Sequence, residues 1–194
     1  MSVTTTQASP FPDLTPTTAP AASRRGMEAV VKQLGVLPAA TARMALSPQV
    51  QDAFARLLGL FASTSLDAMA REVLVLTVAT RNECELCVAM HSAEFTHLGG
   101  TPGVLAALRD QLTLPDARLD AVRIFTLRVM TTAGAVTDGD LDAFRGAGFT
   151  LQNALEIVLG IATYTLSTFA NRLTRAPVDI PALAPFHWQA PTAS

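Results

Sequence analysis

The sequence predicts an all-α fold of about seven or eight helices, and three observations carry that prediction. Apolar residues recur at helical spacing, as in Val50, Phe54, Leu57, Leu58 and Phe61, which marks one buried face. β-branched residues do not alternate with polar ones, so strand signals are weak. Residues that start helices stand directly before the periodic stretches: Ser47-Pro48, Thr101-Pro102, Thr137 and Thr150. A hydroxyl there accepts from free N–H groups, and proline is tolerated in the first turn.

Residues 1–23 are mostly Thr, Ala, Pro and Ser, and Pro10, Pro12, Pro16 and Pro20 oppose a helix. This stretch reads as an extended or disordered arm. The helical domain is expected over 24–176. A short helix covers Arg24 to Leu34, before Gly35 and Pro38. The Ser47-Pro48 helix follows, then one from about Asp67 to Arg81 and one from near Cys84 to Gly99-Gly100. Thr101-Pro102 opens a short helix, and Asp116 to about Thr132 forms a long one. Thr137 caps a helix ending near Gly146, and Thr150 caps the last, which runs to about Leu173. Residues 177–194 hold Pro181, Pro185 and Pro191 and read as an irregular tail, with Leu183, Phe186 and Trp188 as candidate anchors.

An internal echo is visible. AREVLVLTVATRNECELCVAMH from Ala70 aligns with ALEIVLGIATYTLSTFANRLTR from Ala154, at an offset of 84 residues. Glu72 falls on Glu156, Cys84 on Thr168, Cys87 on Asn171 and His91 on Arg175. A true two-fold pseudo-repeat would give two similar helical units packed as a pair, and chance alignment of two helical segments is the alternative.

Apolar residues make up 49% of the chain and charged residues 15%, against roughly 25% charged in an ordinary domain. That points to a large core plus apolar surface covered by another subunit, hence a homo-oligomer. Net charge is −2 and no basic cluster exceeds Arg24-Arg25, so no nucleic-acid partner is expected. No apolar run reaches the roughly 18 residues of a membrane span. The N-terminus lacks a basic region followed by an apolar stretch, so a cytoplasmic location is expected. Two cysteines three residues apart do not make a disulfide framework; in a reducing compartment they point to redox chemistry or metal binding.

Cys84, Cys87 and His91 stand at i, i+3 and i+7, positions that share a helix face. Val88, Phe95 and Leu98 fall on the same stripe, so this face is expected to point inward. A thiol at a helix N-terminus is favoured as thiolate by free N–H groups and the helix dipole. Glu72 precedes the run VLVLTVA, where an unpaired carboxylate is costly to bury. A Glu beside a His and a thiol forms a proton relay. Plainer readings stand alongside. The cysteines could be two small buried hydrophobes. With Glu72 and His91 they could bind zinc, although only His97 and His187 remain as further ligands of the usual kind. Glu72 could be a solvated helix residue. His97 reads as a helix-end group, His187 and Trp188 as packing groups, and Asp138, Asp140 and Asp142 as helix N-terminal charges.

The pattern Glu72, eleven residues, Cys84-x-x-Cys87, three residues, His91 resembles the AhpD-like proteins of the carboxymuconolactone decarboxylase superfamily. The likeness runs over roughly residues 45–175, from SPQVQDAFARLLGLF to VTDGDLDAFRGAGFTLQNALEIVLGIATYTLSTFANRL. It implies an AhpD-like helical domain that assembles as a trimer or hexamer. It also implies reduction of peroxides by the cysteine pair, with Cys87 attacking, Cys84 as the more exposed resolving partner, and Glu72 and His91 relaying the proton. An external dithiol or lipoyl-type reductant would restore the pair, with no organic cofactor and no metal. Leu86 departs from the family, where a His or Tyr often stands between the cysteines, and this leaves room for a general disulfide reductase. A lactone decarboxylase-type enzyme is an alternative, although the true decarboxylases lack the pair. A non-enzymatic redox sensor or assembly protein is another.

Overall fold

The computed structural model describes residues 8–191, and among them the chain forms nine α-helices and one 3₁₀ helix, with no strand. The helices are α1 (Ala21–Leu34), α2 (Ala39–Met44), α3 (Pro48–Ala62), α4 (Ala68–Arg81), α5 (Glu85–His97), α6 (Pro102–Arg109), α7 (Ala117–Thr131), α8 (Asp138–Gly146) and α9 (Leu151–Leu173), and the 3₁₀ helix is Pro181–Phe186. The all-α expectation holds. The number of elements rises because α2 and the 3₁₀ helix, six residues each, are too short to show a period.

Local chemistry fixes most boundaries. Side chains of Ser47, Asp67, Thr101, Asp116, Thr137 and Thr150 accept from backbone N–H groups at their helix starts. Thr137 with Asp140, and Thr150 with Asn153, close reciprocal capping boxes.

Helix α4 is the axis of the domain. Val73 to Ala79 are all buried, and the helix packs on α5, α6, α7 and α9. A helix apolar all round is covered all round, and this burial overrides the weak helix propensity of Val73, Val75, Thr77 and Val78. The Thr77 and Thr80 hydroxyls donate back to the Val73 and Leu76 carbonyls at 2.7 Å each, so neither is left unpaired in the core.

The ends differ from the sequence reading. Helix α1 begins at Ala21, inside the stretch assigned to the arm, because Pro20 sits at the N-cap and not within the helix. Residues 8–20 lie along their own chain. Ser9 Oγ donates to the Thr174 carbonyl at 2.6 Å, Arg43 pairs with Asp13 at 2.6 Å, and Leu14 and Ala19 pack with Met27 and Ala45. Residues 1–7 of the expected arm fall outside the described residues, as do 192–194 of the tail. In the tail Leu183 is buried, and Phe186 and Trp188 pack on the core.

The aligned segments of the internal echo do not share local structure. The first is α4, a turn and α5, whereas the second lies within the single helix α9 and its end. Asn82 and Glu83 break the first copy; Leu166 and Ser167, in register with them, continue the helix.

Candidate active site

The turn between α4 and α5 sets the site. Asn82 ends α4, Glu83 takes a left-handed conformation (φ 52°), and Cys84 is the N-cap of α5. A non-glycine residue at positive φ needs outside support, and α9 supplies it. Arg172 donates to the Asn82 carbonyl at 2.5 Å and pairs with the Glu83 carboxylate at 3.0 Å. Asn82 Nδ2 donates to Thr168 Oγ1 at 2.9 Å.

This places both sulfurs against α9. Cys84 and Cys87 are free thiols, 2% and 3% exposed. Asn171 Nδ2 lies 3.3 Å from Cys87 Sγ and 3.9 Å from Cys84 Sγ, and Ser167 Oγ is 3.7 Å from Cys87 Sγ. Both side chains are buried, whichever of the two is the resolving sulfur. What distinguishes Cys84 is its position on the wall of a surface cleft of about 170 Å³, shared with Glu83, Glu85, Leu86, Asn171 and Arg172. Leu86 itself is 2% exposed.

Glu72 and His91 meet as the spacing suggested. His91 Nδ1 is 2.8 Å from Glu72 Oε2, with side chains 16% and 12% exposed. The Tyr164 ring meets the imidazole edge to face, with centroids 4.9 Å apart. Among the described residues no hydrogen bond joins His91 to either sulfur; the imidazole follows Cys87 by one turn of α5 and is turned to Glu72. Leu98, expected on the inward stripe, is 36% exposed because α5 ends at His97.

The two thiols ionise unequally. The Cys87 S–H, as donor, pulls Cys84 down to about 7 against the cost of burial, helped by the Cys87 backbone N–H, the Asn171 amide and the Arg172 charge. Cys87 is pushed well up, because its proton is held by Cys84, it is deeply buried and it faces the Cys84 charge; Ser167 and Asn171 offset this in part. The first proton the pair loses therefore leaves Cys84, near neutral pH. Tyr164 is raised by burial, then by the charges of Glu72 and Cys87, and stays protonated at neutral pH.

Sequence reasoning missed Tyr164, Ser167 and Asn171 as site residues. Their signal is their spacing. Tyr164, Ser167, Thr168 and Asn171 are buried on one face of α9, whereas Leu151, Leu155, Val158, Phe169 and Leu173 are exposed on it. The helix is polar inward, where the thiols lie, and apolar outward. The zinc reading finds no support in this geometry: the sulfurs face Asn171 and Ser167, and no three His, Cys, Asp or Glu side chains among the described residues form a group that could hold a metal.

Residues 48–126 match the model of the Carboxymuconolactone decarboxylase family. That stretch is similar to the carboxymuconolactone decarboxylase family, and the fold of the chain is AhpD-like. The matched stretch contains Glu72, Cys84, Cys87 and His91 and ends before α9. Solved structures share the fold. An alkylhydroperoxidase AhpD core protein from Ralstonia eutropha, described as peroxidase-related, aligns with a TM-score of 0.78 and 23% identity over 88% of this chain and 92% of its own. A peroxidase-related protein from a Silicibacter species gives 0.76 and 20% over 97% and 99%. A cysteine-to-alanine variant of the debrominase Bmp8, in complex with 2,3,4-tribromopyrrole, gives 0.71 and 16% over 94% and 96%. A comparison with curated proteins returns no match. No helix among the described residues is long and apolar enough to cross a membrane.

Proposed function

We propose that the protein is a thiol-dependent peroxidase that reduces hydroperoxides with Cys84 and Cys87 and is recycled by an external dithiol. The observation that carries this reading is the unequal thiol pair, one sulfur held toward thiolate by its neighbour and both facing the same amide donor. The Cys87 proton passes to Cys84 along the S–H contact, leaving Cys87 as the thiolate. Cys87 attacks the terminal peroxide oxygen, the O–O bond breaks, and a sulfenic acid and an alkoxide result. The alkoxide takes a proton through His91, which Glu72 orients. The Cys84 thiol then loses its proton and its sulfur attacks the sulfenic sulfur; water leaves and the disulfide forms. A dithiol or lipoyl-type reductant entering the cleft attacks Cys84, the sulfur on its wall, and restores both thiols. This cycle operates in a reducing compartment such as the cytoplasm and uses no organic cofactor.

The same reading includes a homo-oligomer, trimer or hexamer, joined through the outward apolar face of α9. Peroxide consumption with a panel of dithiol donors tests the function. Turnover in wild type and none in Cys87→Ser is the expected result. Activity on lactones that survives replacement of both cysteines would instead indicate a decarboxylase-type enzyme in the same pocket, and a disulfide that forms without turnover would indicate a sensor.

A further inference from the structure

We infer that Asn171 is a catalytic residue of this site, a side-chain amide that donates to both sulfurs and so stabilises the charge on whichever of them carries it. The inference rests on the thiol-redox reading and adds to it a residue from a helix beyond the family-matched stretch. Asn171 is 5% exposed, and its Nδ2 carries two N–H groups. The nitrogen lies 3.3 Å from Cys87 Sγ and 3.9 Å from Cys84 Sγ. A primary amide set between two thiols serves every charge state of the pair. It donates to Cys84 at rest and to Cys87 once the proton has crossed, so the charge can move without a donor having to move. The Ser167 hydroxyl, one turn earlier on the same face, lies 3.7 Å from Cys87 Sγ and donates to it when Cys87 is the thiolate. That asymmetry favours the step in which Cys87 becomes the nucleophile.

The other charges around the pair do not replace this role. Glu83 and Arg172 pair with each other, and Glu85 lies on the cleft wall with Arg175. Glu72 is engaged by His91, and Tyr164 stays neutral behind the imidazole, with Arg71 beyond it. Arg109, from α6, is turned to Ser92 and the Phe186 carbonyl. The 3₁₀ helix packed on α5 carries no titratable side chain. When peroxide takes two electrons from the pair, the thiolate disappears and the amide loses its charged acceptor. Asn171 therefore favours the reduced, ionised state and makes the disulfide more oxidising.

The test is the pH profile of thiol alkylation, together with the disulfide potential against glutathione, for wild type, Asn171→Leu and Asn171→Asp. Leu keeps the volume and removes both donors, so its alkylation profile is expected to move up by about one pH unit or more, the usual worth of a hydrogen bond to a charged group. Asp adds a like charge beside the sulfurs and is expected to move it further. Both disulfides are expected to become harder to reduce. Asp is nearly isosteric, so it keeps the test open if the Leu variant does not fold. Profiles and potentials equal to wild type in folded variants would overturn the inference. These measurements use no peroxide, so a wild type that fails to consume peroxide would remove the peroxidase reading and leave this result standing.

Discussion

Glu72 stands next to eight consecutive buried residues, yet it keeps a hydrogen-bonded partner and a path to water. His91 holds one carboxylate oxygen at 2.8 Å, and both side chains remain slightly exposed. That geometry suits proton exchange between a buried pair of thiols and solvent. Glu72→Gln preserves shape and the hydrogen bond to His91 while removing the charge. The peroxide reaction is expected to slow by about 10²–10⁴-fold, the usual worth of a positioned acid–base group. With Cys84 held near 7, the reactive thiolate fraction of wild type rises with pH through that value. Stopped-flow rates across pH 5 to 9 check both statements, and a change below about threefold would reduce Glu72 to an ordinary surface pair. Glu72, Cys84, Cys87 and His91 were legible in the sequence because three of them share one helix and the fourth interrupts an apolar run. Ser167 and Asn171 were not, because a polar residue in a helix ordinarily signals a solvated face. Only the packing of α9 on the α4–α5 turn shows that this polar face points inward.

At the scale of elements, α9 is the part that completes the site, and its close approach to α3 and α4 depends on Gly160. A Cβ there would stand 2.6 Å from the Phe61 ring and 2.8 Å from the Leu74 methyls. Phe61 is 3% exposed and Leu74 fully buried, so neither can swing aside into solvent. Gly160→Ala is expected to destabilise the fold by about 1–3 kcal/mol through overpacking, despite the better helix propensity of alanine. A lowered denaturation midpoint with an unchanged slope would show this, and an unchanged midpoint would mean that the helices separate freely. The capped helices were legible because Ser, Thr and Asp before a periodic run have a definite job. Helix α2 was not, since six residues between Pro38 and Ser47 carry no period, and the short arm before it folds back through contacts made with residues far along the chain. The echo misled for a related reason: similar composition in two segments does not encode the break at Asn82 and Glu83, which Arg172 and Thr168 support from outside.

Over the whole molecule, the low charge content becomes a location. Leu155 is 73% exposed, Phe169 58% and Leu173 69%, all on α9. Near them a groove of about 850 Å³ is lined by Leu46, Val50, Leu166, Phe169 and Leu173. In the proposed homo-oligomer a second copy would bury this face, which gives a place to the apolar excess that composition alone had shown. Light scattering of wild type is expected to exceed the 20.4 kDa of one chain, with Leu155→Glu and Phe169→Glu shifting the mass toward the monomer. A wild type that is monomeric at micromolar concentration would contradict the assembly.

In the proposed cycle one chain passes two electrons from its own cysteine pair to a hydroperoxide. The measurement that tests it most directly is reaction of the fully reduced protein with a single equivalent of an organic hydroperoxide, followed by mass spectrometry of the intact and digested chain. The expected result is loss of two hydrogen atoms per chain, a disulfide between Cys84 and Cys87 within that chain, and one molecule of alcohol released per disulfide. Two thiols per chain still open to alkylation, with the hydroperoxide intact, would contradict it.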